Sequence, residues 1–407
     1  MTAGLPPDDQ YTDFMQHLRR LVVGLLTCVL LAHAVPAQAA DPNDANLTAS
    51  WLARTLASNN DLAQNPAGDV DYASTAYALL GLKAAGVAAD QIRASAEAMA
   101  ASEDAFVGTP DQADSKTTAI SLMILAMQAG DLDPAEYLGS GGTRDLYADL
   151  QSTIQPDGAV STMATAYGQS FAILALLGSG TVPDPVVAWL LAQPCADSSS
   201  PGFGGYGFAG PGSCDDADPD STALAVIALV NFGISAATLD PARTFLTSVQ
   251  DSSGGFISTF SGINANTTGL AVAALNALSP GSAEASKGVD FLESLMYGCD
   301  AGTDLAGAMA LTADARTSTQ IAPLADSDRA LFFQASAQGI YGFVGMAPPA
   351  TYAFGSVDAP VPSCPTPSPD TAADSSGASD WWWALGGFLV VVLVYVGWRF
   401  IISGRRS

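Results

Sequence analysis

The chain has 407 residues, with 40 acidic against 14 basic side chains, a net charge of −26 and only two histidines. This balance excludes nucleic acid and anionic lipid headgroups as favoured partners. Both histidines, His17 and His33, lie in a predicted leader. The mature protein would therefore contain no histidine, which excludes Ser-His-Asp and Cys-His catalysis and argues against a zinc site.

The N-terminal segment 15–40 has the features of a signal peptide. Arg19 and Arg20 precede an apolar run of signal length, and a small-residue cleavage pattern follows near Ala39. We therefore expect residues 1–40 to form a leader that is removed. Retention of this segment as an N-terminal anchor is the alternative.

A repeated apolar segment organises the region after the leader. Its six copies span residues 71–86, 114–130, 164–180, 218–233, 264–279 and 314–325. A cap residue precedes five of them, namely Asp71, Asp114, Asp218, Asn264 and Asp314. A polar anchor recurs near the start of each, at Thr75, Thr118, Gln169, Thr222, Thr268 and Ser318. Because these segments are apolar nearly all round, we predict six buried inner helices.

More amphipathic segments alternate with the inner helices. They span residues 48–58, 89–102, 143–154, 183–193, 240–250 and 284–296. Each is expected to be an outer helix that shows one face to water. Six hairpins of an outer and an inner helix, closed into a ring, predict an all-α fold, an α6/α6 toroid over residues 41–355.

The connections carry a second repeated signal. Gln155 and Gln250 each end an outer helix before a glycine turn, in QPDGAVST and QDSSGGFIST. The segment PGFGGYGFAGPGS (201–213) is a longer, glycine-rich version, which we expect to be a flexible rim loop. It has no lysine and no Walker spacing, so phosphate binding is disfavoured.

Four cysteines remain after Cys28 leaves with the leader, an even number that fits an oxidising compartment. Three pairings are open. The most economical one joins Cys195 to Cys214, around the glycine-rich loop, and Cys299 to Cys364.

The C-terminal segment 381–402 is apolar over a length that spans a bilayer. Tryptophans stand near both of its ends and arginines follow it, which predicts a transmembrane helix with the tail 403–407 in the cytoplasm. A linker rich in Pro, Ser and Asp (356–380) would tether the toroid outside the cell membrane. A removable sorting tail is the alternative.

Two features resemble the prenyltransferase and squalene-cyclase repeat superfamily. One is the set of inner helices, clearest where Ser-Thr-Ala precedes aliphatic residues, at Ser74 and Ser221. The other is the turn from Gln250 to Gly254. The resemblance covers residues 46–345 and implies an α/α toroid. The superfamily includes protein prenyltransferases, class II terpene cyclases, complement thioester domains and the helical domain of cobalamin carriers. Since one fold serves several chemistries, the resemblance leaves the function open.

Two activities of the superfamily lack their residues in this chain. Zinc-dependent prenyl transfer uses histidine among the metal ligands, and a thioester domain needs a GCGEQ-like run, whereas Cys299 lies in YGCDAGTD. The segment TSTQIAPLA (317–325) is similar to the last repeat of cobalamin carriers. Those carriers add a small β-domain as a lid, whereas we expect only a linker and a membrane anchor after this toroid. No cofactor is required for the functions that remain.

The sequence DPDSTA resembles the DxDDTA motif of class II terpene cyclases, in which the middle aspartate protonates an alkene. Asp218 and Asp220 match the first two acids and are the catalytic candidates, but Ser221 replaces the last acid. The simpler interpretation is that Asp218 caps a helix, as the other cap residues do.

Calcium is a further alternative at the same place. Asp216, Asp218 and Asp220 have a DxDxD spacing that presents several oxygens to one ion. An EF-hand would need glycine and glutamate where the chain has Ser221 and Ile227, so only an irregular calcium loop is compatible with the sequence.

Neutral polar and aromatic residues at the inner-helix starts favour a ligand site at one mouth of the toroid. The candidates are Tyr72, Thr75, Thr118, Tyr167, Gln169, Thr222, Asn266, Thr268 and Gln320. The alternative is that the hydroxyl groups bond only to their own backbone. We therefore expect a membrane-anchored protein that binds a small molecule, such as a cobalamin-like compound for a transporter, or a surface partner. An isoprenoid-processing enzyme is the second hypothesis.

Overall fold

The computed structural model describes residues 42–208, 212–302, 304–318 and 325–346. The predicted leader, linker and transmembrane segment lie outside these ranges. Within them, no helix combines the length and the apolar character that a membrane span requires.

The described residues are predominantly helical. In chain order the α-helices are α1 (Pro42–Ser58), α2 (Tyr72–Ala85), α3 (Ala89–Ala100), α4 (Asp104–Val107), α5 (Thr117–Ala129), α6 (Leu146–Ser152), α7 (Ala166–Gly178), α8 (Asp184–Leu191), α9 (Pro219–Phe232), α10 (Asp240–Ser248), α11 (Ala265–Leu278), α12 (Ala283–Leu295), α13 (Ala313–Ser318), α14 (Asp326–Gly339) and α15 (Tyr341–Val344). Helices α1, α3, α6, α8, α10 and α12 coincide with the predicted outer helices. Helices α2, α5, α7, α9 and α11 coincide with the first five predicted inner helices.

Three short antiparallel hairpins, which the sequence did not predict, lie in the connections. They pair β1 (Tyr137–Gly139) with β2 (Gly142–Arg144), β3 (Tyr206–Gly207) with β4 (Ala217–Asp218), and β5 (Ile257–Ser258) with β6 (Gly262–Ile263). The last two hairpins lead directly into inner helices α9 and α11. They therefore set the direction in which these helices begin.

The inner helices are buried nearly all round, as their composition predicts. In α9, for example, every residue from Ser221 to Leu229 is buried. Small and aliphatic side chains let such a helix pack on several sides at once. The core of the protein is therefore the space between neighbouring inner helices.

The sixth inner helix differs from the prediction. The segment 314–325 was expected to supply it, and its residues 319–324 lie outside the described ranges. Its described part belongs to α13 (Ala313–Ser318), which packs against outer helix α12. Helix α14 instead takes the inner position, with Phe332 and Phe333 in the core.

Two of the predicted caps are also wrong. Asp114 lies in a 3-10 turn, and its carboxylate accepts hydrogen bonds from the backbone N–H and the hydroxyl of Thr162 instead of capping α5. Asp314 lies inside α13, where the hydroxyl of Thr312 accepts from the backbone N–H of Ala315. A tertiary contact thus takes Asp114 away from the helix start, whereas at Asp314 the helix begins one residue earlier.

Packing between the inner helices follows a cyclic order. Helix α2 packs on α5, α5 on α7, α7 on α9, α9 on α11, α11 on α14, and α14 again on α2. At the last contact, Gln334 Nε2 donates to Asp71 Oδ2 at 3.0 Å, and Tyr341 Oη donates to the carbonyl of Tyr77 at 2.7 Å. The first and last inner helices are therefore neighbours.

Glycines in the connections dock on the outer helix of the next unit. A side chain at Gly254, whose φ is +92°, would begin 2.2 Å from the carbonyl oxygen of Lys287 in α12. The same contact recurs at Gly158 with Pro185, at Gly204 with Pro241 and at Gly307 with Leu47. Because Leu47 belongs to α1, the last connection docks on the first outer helix. This contact repeats the cyclic order found for the inner helices.

One predicted disulfide is confirmed. Cys195 and Cys214 are bonded, and the glycine-rich loop runs between them. Cys299 is also disulfide-bonded, and its predicted partner, Cys364, lies outside the described residues.

Candidate functional site

A recurring hydrogen bond uses most of the predicted anchor residues. In α2, Thr75 Oγ1 donates to the carbonyl of Asp71 and accepts from the backbone N–H of Ala63, at 2.8 and 2.9 Å. Thr222, Thr268 and Gln169 accept a connection N–H in the same way, as does Ser336 in α14. Four of these residues, Thr75, Gln169, Thr222 and Thr268, were predicted to bind the ligand, and all four are fully buried. Their polar atoms hold the connections to the inner helices.

The anchors define a second equivalent position, two residues earlier, which we call the lining position. In α5 we take Ser121 as the anchor, because its hydroxyl donates to the carbonyl of Thr117. The lining position is then occupied by Ala73, Ala119, Tyr167, Asp220, Asn266 and Gln334. All six residues are half-buried, whereas the anchors themselves are buried. Since the helices follow a cyclic order, we expect equivalent positions to turn towards the same space.

Two aspartates at the start of α9 lie in this region without a basic partner. Asp218 is fully buried, and its Oδ2 accepts the backbone N–H of Ser221 at 2.8 Å, which confirms it as a helix cap. Oδ1 of Asp218 and Oδ1 of Asp220 are both buried and have no hydrogen-bond partner among the described residues. Neither aspartate forms an ion pair in that part of the chain.

The pKa values of this acidic pair are raised. Burial raises the pKa of Asp220 to about 7, and the neighbouring charge of Asp218 adds to the rise, while the Thr267 hydroxyl opposes it. Burial also raises the pKa of Asp218, against the hydrogen bond from Ser221. Asp220 therefore changes its protonation state near neutral pH.

A pair of tyrosines shares the environment of Asp220. The hydroxyls of Tyr77 and Tyr167 are 2.9 Å apart. Burial raises the pKa of Tyr77 to about 12 and that of Tyr167 well above its usual value, and the charge of Asp220 contributes to both shifts. Both phenols stay neutral, so they offer hydrogen bonds and ring faces beside the acidic pair.

A chain of aromatic rings connects this pair to the surface. Tyr167 lies against Phe208, with ring centroids 6.3 Å apart, and Phe208 lies 5.5 Å from Phe260. Phe208 belongs to the disulfide-closed loop, and Phe260, on the hairpin before α11, is 62% exposed. Aromatic packing therefore runs from the exposed Phe260 to the Tyr77–Tyr167 pair.

The remaining predicted site residues are Tyr72, Thr118, Asn266 and Gln320. Tyr72 stacks on Phe106 with centroids 5.3 Å apart, and Thr118 lies against Gly168. Asn266 is at the lining position, and its Oδ1 is buried with no hydrogen-bond partner among the described residues. Gln320 lies outside those residues.

For the predicted calcium loop, the described residues contain no group of three or more acidic, histidine or cysteine side chains placed to hold a metal. The carboxylate of Asp216 lies against Gly207, at the β3–β4 hairpin. Calcium binding at Asp216, Asp218 and Asp220 stays a prediction.

Sequence reasoning missed Tyr77, Thr267 and Gln334. Alignment of the units on their caps would have placed Asn266 and Tyr167 in register with Asp220, since each lies two residues after its cap. Tyr77 carries no such signal, because it lies one turn further along α2 and only the packing of α2 near α7 brings it to Tyr167.

A scan against models of known protein families finds no matching family, and a search of curated proteins finds no significant relative.

Proposed function

We propose that this chain is a membrane-anchored, extracytoplasmic α6/α6 toroid that binds a small organic molecule at the starts of its inner helices, without catalysing a reaction. One observation carries the proposal. Asp218 and Asp220 hold buried oxygens that have no partner among the described residues, and Asp220 lies within electrostatic reach of the tyrosine pair.

The cyclic packing order supports the toroid. Each inner helix has two inner neighbours, and Gly307 meets the first outer helix as Gly254 meets α12. An open row of hairpins would leave α2 and α14 without this contact. The sides of a closed ring are packed, so a ligand would enter at one end, between the inner-helix starts.

Hydrogen-bond accounting supports a ligand at this end. A buried acceptor without a donor costs about 1–3 kcal/mol, more when it is charged. Such costs are concentrated at functional sites, where a ligand supplies the missing donors. Asp218, Asp220 and Asn266 would together offer three such acceptors.

Binding fits the acidic pair better than alkene protonation does. A strong acid needs a stabilised anion, whereas burial and Asp218 destabilise the anion of Asp220. The rise in the pKa of Asp220 from 3.8 to about 7 makes the free energy of losing its proton about 4 kcal/mol less favourable. A carboxyl group of this kind is suited to hydrogen bonding.

The test is to purify the full-length chain in mild detergent and to look for a co-purifying compound by native mass spectrometry and by extraction. We expect a bound organic molecule in the wild type and in Asp290→Asn, an exposed control on α12, and a reduced amount in Asp220→Asn. A bare polypeptide, with no thermal stabilisation by any member of a metabolite library, would contradict the proposal.

A cyclase-like enzyme acting on isoprenoids is the second candidate. The observation that favours it is a largely buried Asp220 that still carries a proton near neutral pH, within electrostatic reach of aromatic rings. Incubation with squalene or geranylgeranyl diphosphate tests it. Product formed by the wild type and lost in Asp220→Asn would support the enzyme, and no product, or equal amounts from both, would exclude this acid.

A further inference from the structure

We propose that the ligand is a small organic cation, a protonated amine on an apolar body, whose ammonium group is held by Asp218, Asp220 and Asn266 beside the rings of Tyr77 and Tyr167. This inference rests on the proposed function, because it names the chemical class that the same site would take. It is carried by the charge, the acceptor set and the aromatic walls of the site.

The charge of the site is uncompensated. Asp218 raises the cost of ionising Asp220, and none of the ion pairs among the described residues involves either aspartate. The other charge that acts on Tyr77 is that of Asp71, which is also negative. A buried carboxylate is stable when a cation accompanies it. The site itself supplies none among these residues, so a cationic ligand would be favoured.

The acceptor set matches an ammonium group. Oδ1 of Asp218, Oδ1 of Asp220 and Oδ1 of Asn266 are buried and have no donor among the described residues. A primary ammonium group has three N–H donors and no acceptor. Its three donors would match these oxygens in number, whereas a hydroxyl group has one donor and would leave at least two of them unsatisfied.

The aromatic walls favour an organic cation over a metal ion. Tyr167 packs edge-on to Phe171 at 5.2 Å, and Tyr77 stacks on the same ring at 5.9 Å. Ring faces attract organic cations, by about 2 kcal/mol or more when both are desolvated. Calcium, by contrast, takes about 6–8 oxygen ligands. The rings of Phe208 and Phe260 would contact the apolar body of the ligand.

The experiment compares two probes of nearly identical shape on the full-length chain, 2-phenylethylamine and 2-phenylethanol, by ligand-detected NMR and calorimetry at pH 7.5. We expect the amine to bind at least tenfold more tightly than the alcohol. Asp220→Asn should weaken amine binding at least tenfold and leave alcohol binding within about threefold, while Asp290→Asn changes neither. Asn266→Asp, which adds a negative charge, should strengthen binding of the amine alone.

Equal affinity for the two probes would overturn the inference and leave the proposed function intact. Calcium chloride that displaces the amine and by itself raises the melting temperature would also overturn it, in favour of an inorganic cation. If neither probe binds while a neutral compound co-purifies, only the inference fails. If nothing co-purifies either, the proposed function fails with it. Should Asp220→Asn not fold, the Asn266→Asp result decides.

Discussion

Asp218 and Asp220 are two residues apart, yet they have different tasks. Asp218 caps α9 through the backbone N–H of Ser221, as Asp71 caps α2 through that of Ser74. Asp220, at the lining position, has no capping contact, and burial raises its pKa to about 7. Burial makes ionisation of both aspartates oppose the folded state, and at Asp218 the hydrogen bond from Ser221 offsets part of this cost.

We expect Asp220→Asn to flatten the dependence of stability on pH. Because the pKa of Asp220 rises from 3.8 to about 7 in the folded protein, the native state binds more protons between these values. The free energy of unfolding of the wild type should fall as the pH rises through this window, by up to about 4 kcal/mol from this group. Above pH 7 the contribution of Asp220 to the free energy of unfolding should no longer change with pH.

Urea denaturation at pH 5 and pH 8 measures this effect. Asp220→Asn should be more stable than the wild type at pH 8, and Asp290→Asn should follow the wild type at both pH values. Asp218, Tyr77 and Tyr167 are the titratable groups that interact with Asp220. Parallel curves for the wild type and Asp220→Asn would show that the carboxyl group is not destabilised.

Thr222 exemplifies the anchors. Thr222→Val keeps the shape of the side chain but removes the bond to Asp218 O and leaves the buried N–H of Tyr206 without its acceptor. We expect a loss of about 2–3 kcal/mol in the free energy of unfolding. Thr222→Ser, which keeps the hydroxyl, should lose no more than about 1 kcal/mol. Chemical denaturation checks the pair, and similar losses in both would refute a role for the hydrogen bond.

At the scale of elements, the connections join one hairpin to the next through closely docked glycines. Gly254 and Gly68 have nearly the same φ, +92° and +89°, but only Gly254 faces a carbonyl oxygen, whereas Gly68 has open space. The two positions therefore separate the backbone strain of a left-handed residue from the steric cost of the contact.

We expect Gly68→Ala to cost about 1–2 kcal/mol, from backbone strain alone. Gly254→Ala should cost at least about 2 kcal/mol more, because its Cβ would begin 2.2 Å from Lys287 O and would force α12 away. Thermal and urea unfolding of the two variants give the comparison. Equal losses would mean that the connection is not docked on α12.

At the scale of the whole molecule, the cyclic order makes the first and last units depend on each other. Gly81 of α2 lies against Ile340, just beyond α14, where an added Cβ would be 2.4 Å from Ile340 Cγ2. These residues are 259 positions apart in the sequence. Their contact therefore tests only the packing of the first inner helix against the last one.

Gly81→Val should destabilise the protein by at least about 2 kcal/mol and should lower hydrogen-exchange protection in both α2 and α14. Ala84→Val, a half-buried position on the same helix, serves as the control for the cost of a β-branched residue and should lose less than about 1 kcal/mol. Loss of protection in α2 alone would indicate that the two helices unfold independently.

The sequence by itself determined the features that depend on neighbours along the chain. The apolar repeats predicted six inner helices and the amphipathic segments six outer ones, and the structure has helices at five of the inner and all six of the outer positions. A buried helix needs a continuous run of small and aliphatic residues, which can be read along the chain. The disulfide between Cys195 and Cys214 was predicted because the two cysteines are close in the chain and flank the glycine-rich loop. Only the tertiary structure decided that α14, and not the segment 314–325, completes the inner set.

The tertiary structure also decided the roles of the polar residues. Thr222 and Asn266 look alike in the sequence as polar residues at helix starts. Packing turns one towards the connection and the other to the lining position. Asp220 likewise acquires its raised pKa from burial and from Asp218. It comes near Tyr77 because α2, α5, α7 and α9 pack on one another in turn. Burial and electrostatics are properties of the surroundings in space, which residues far apart in the chain supply.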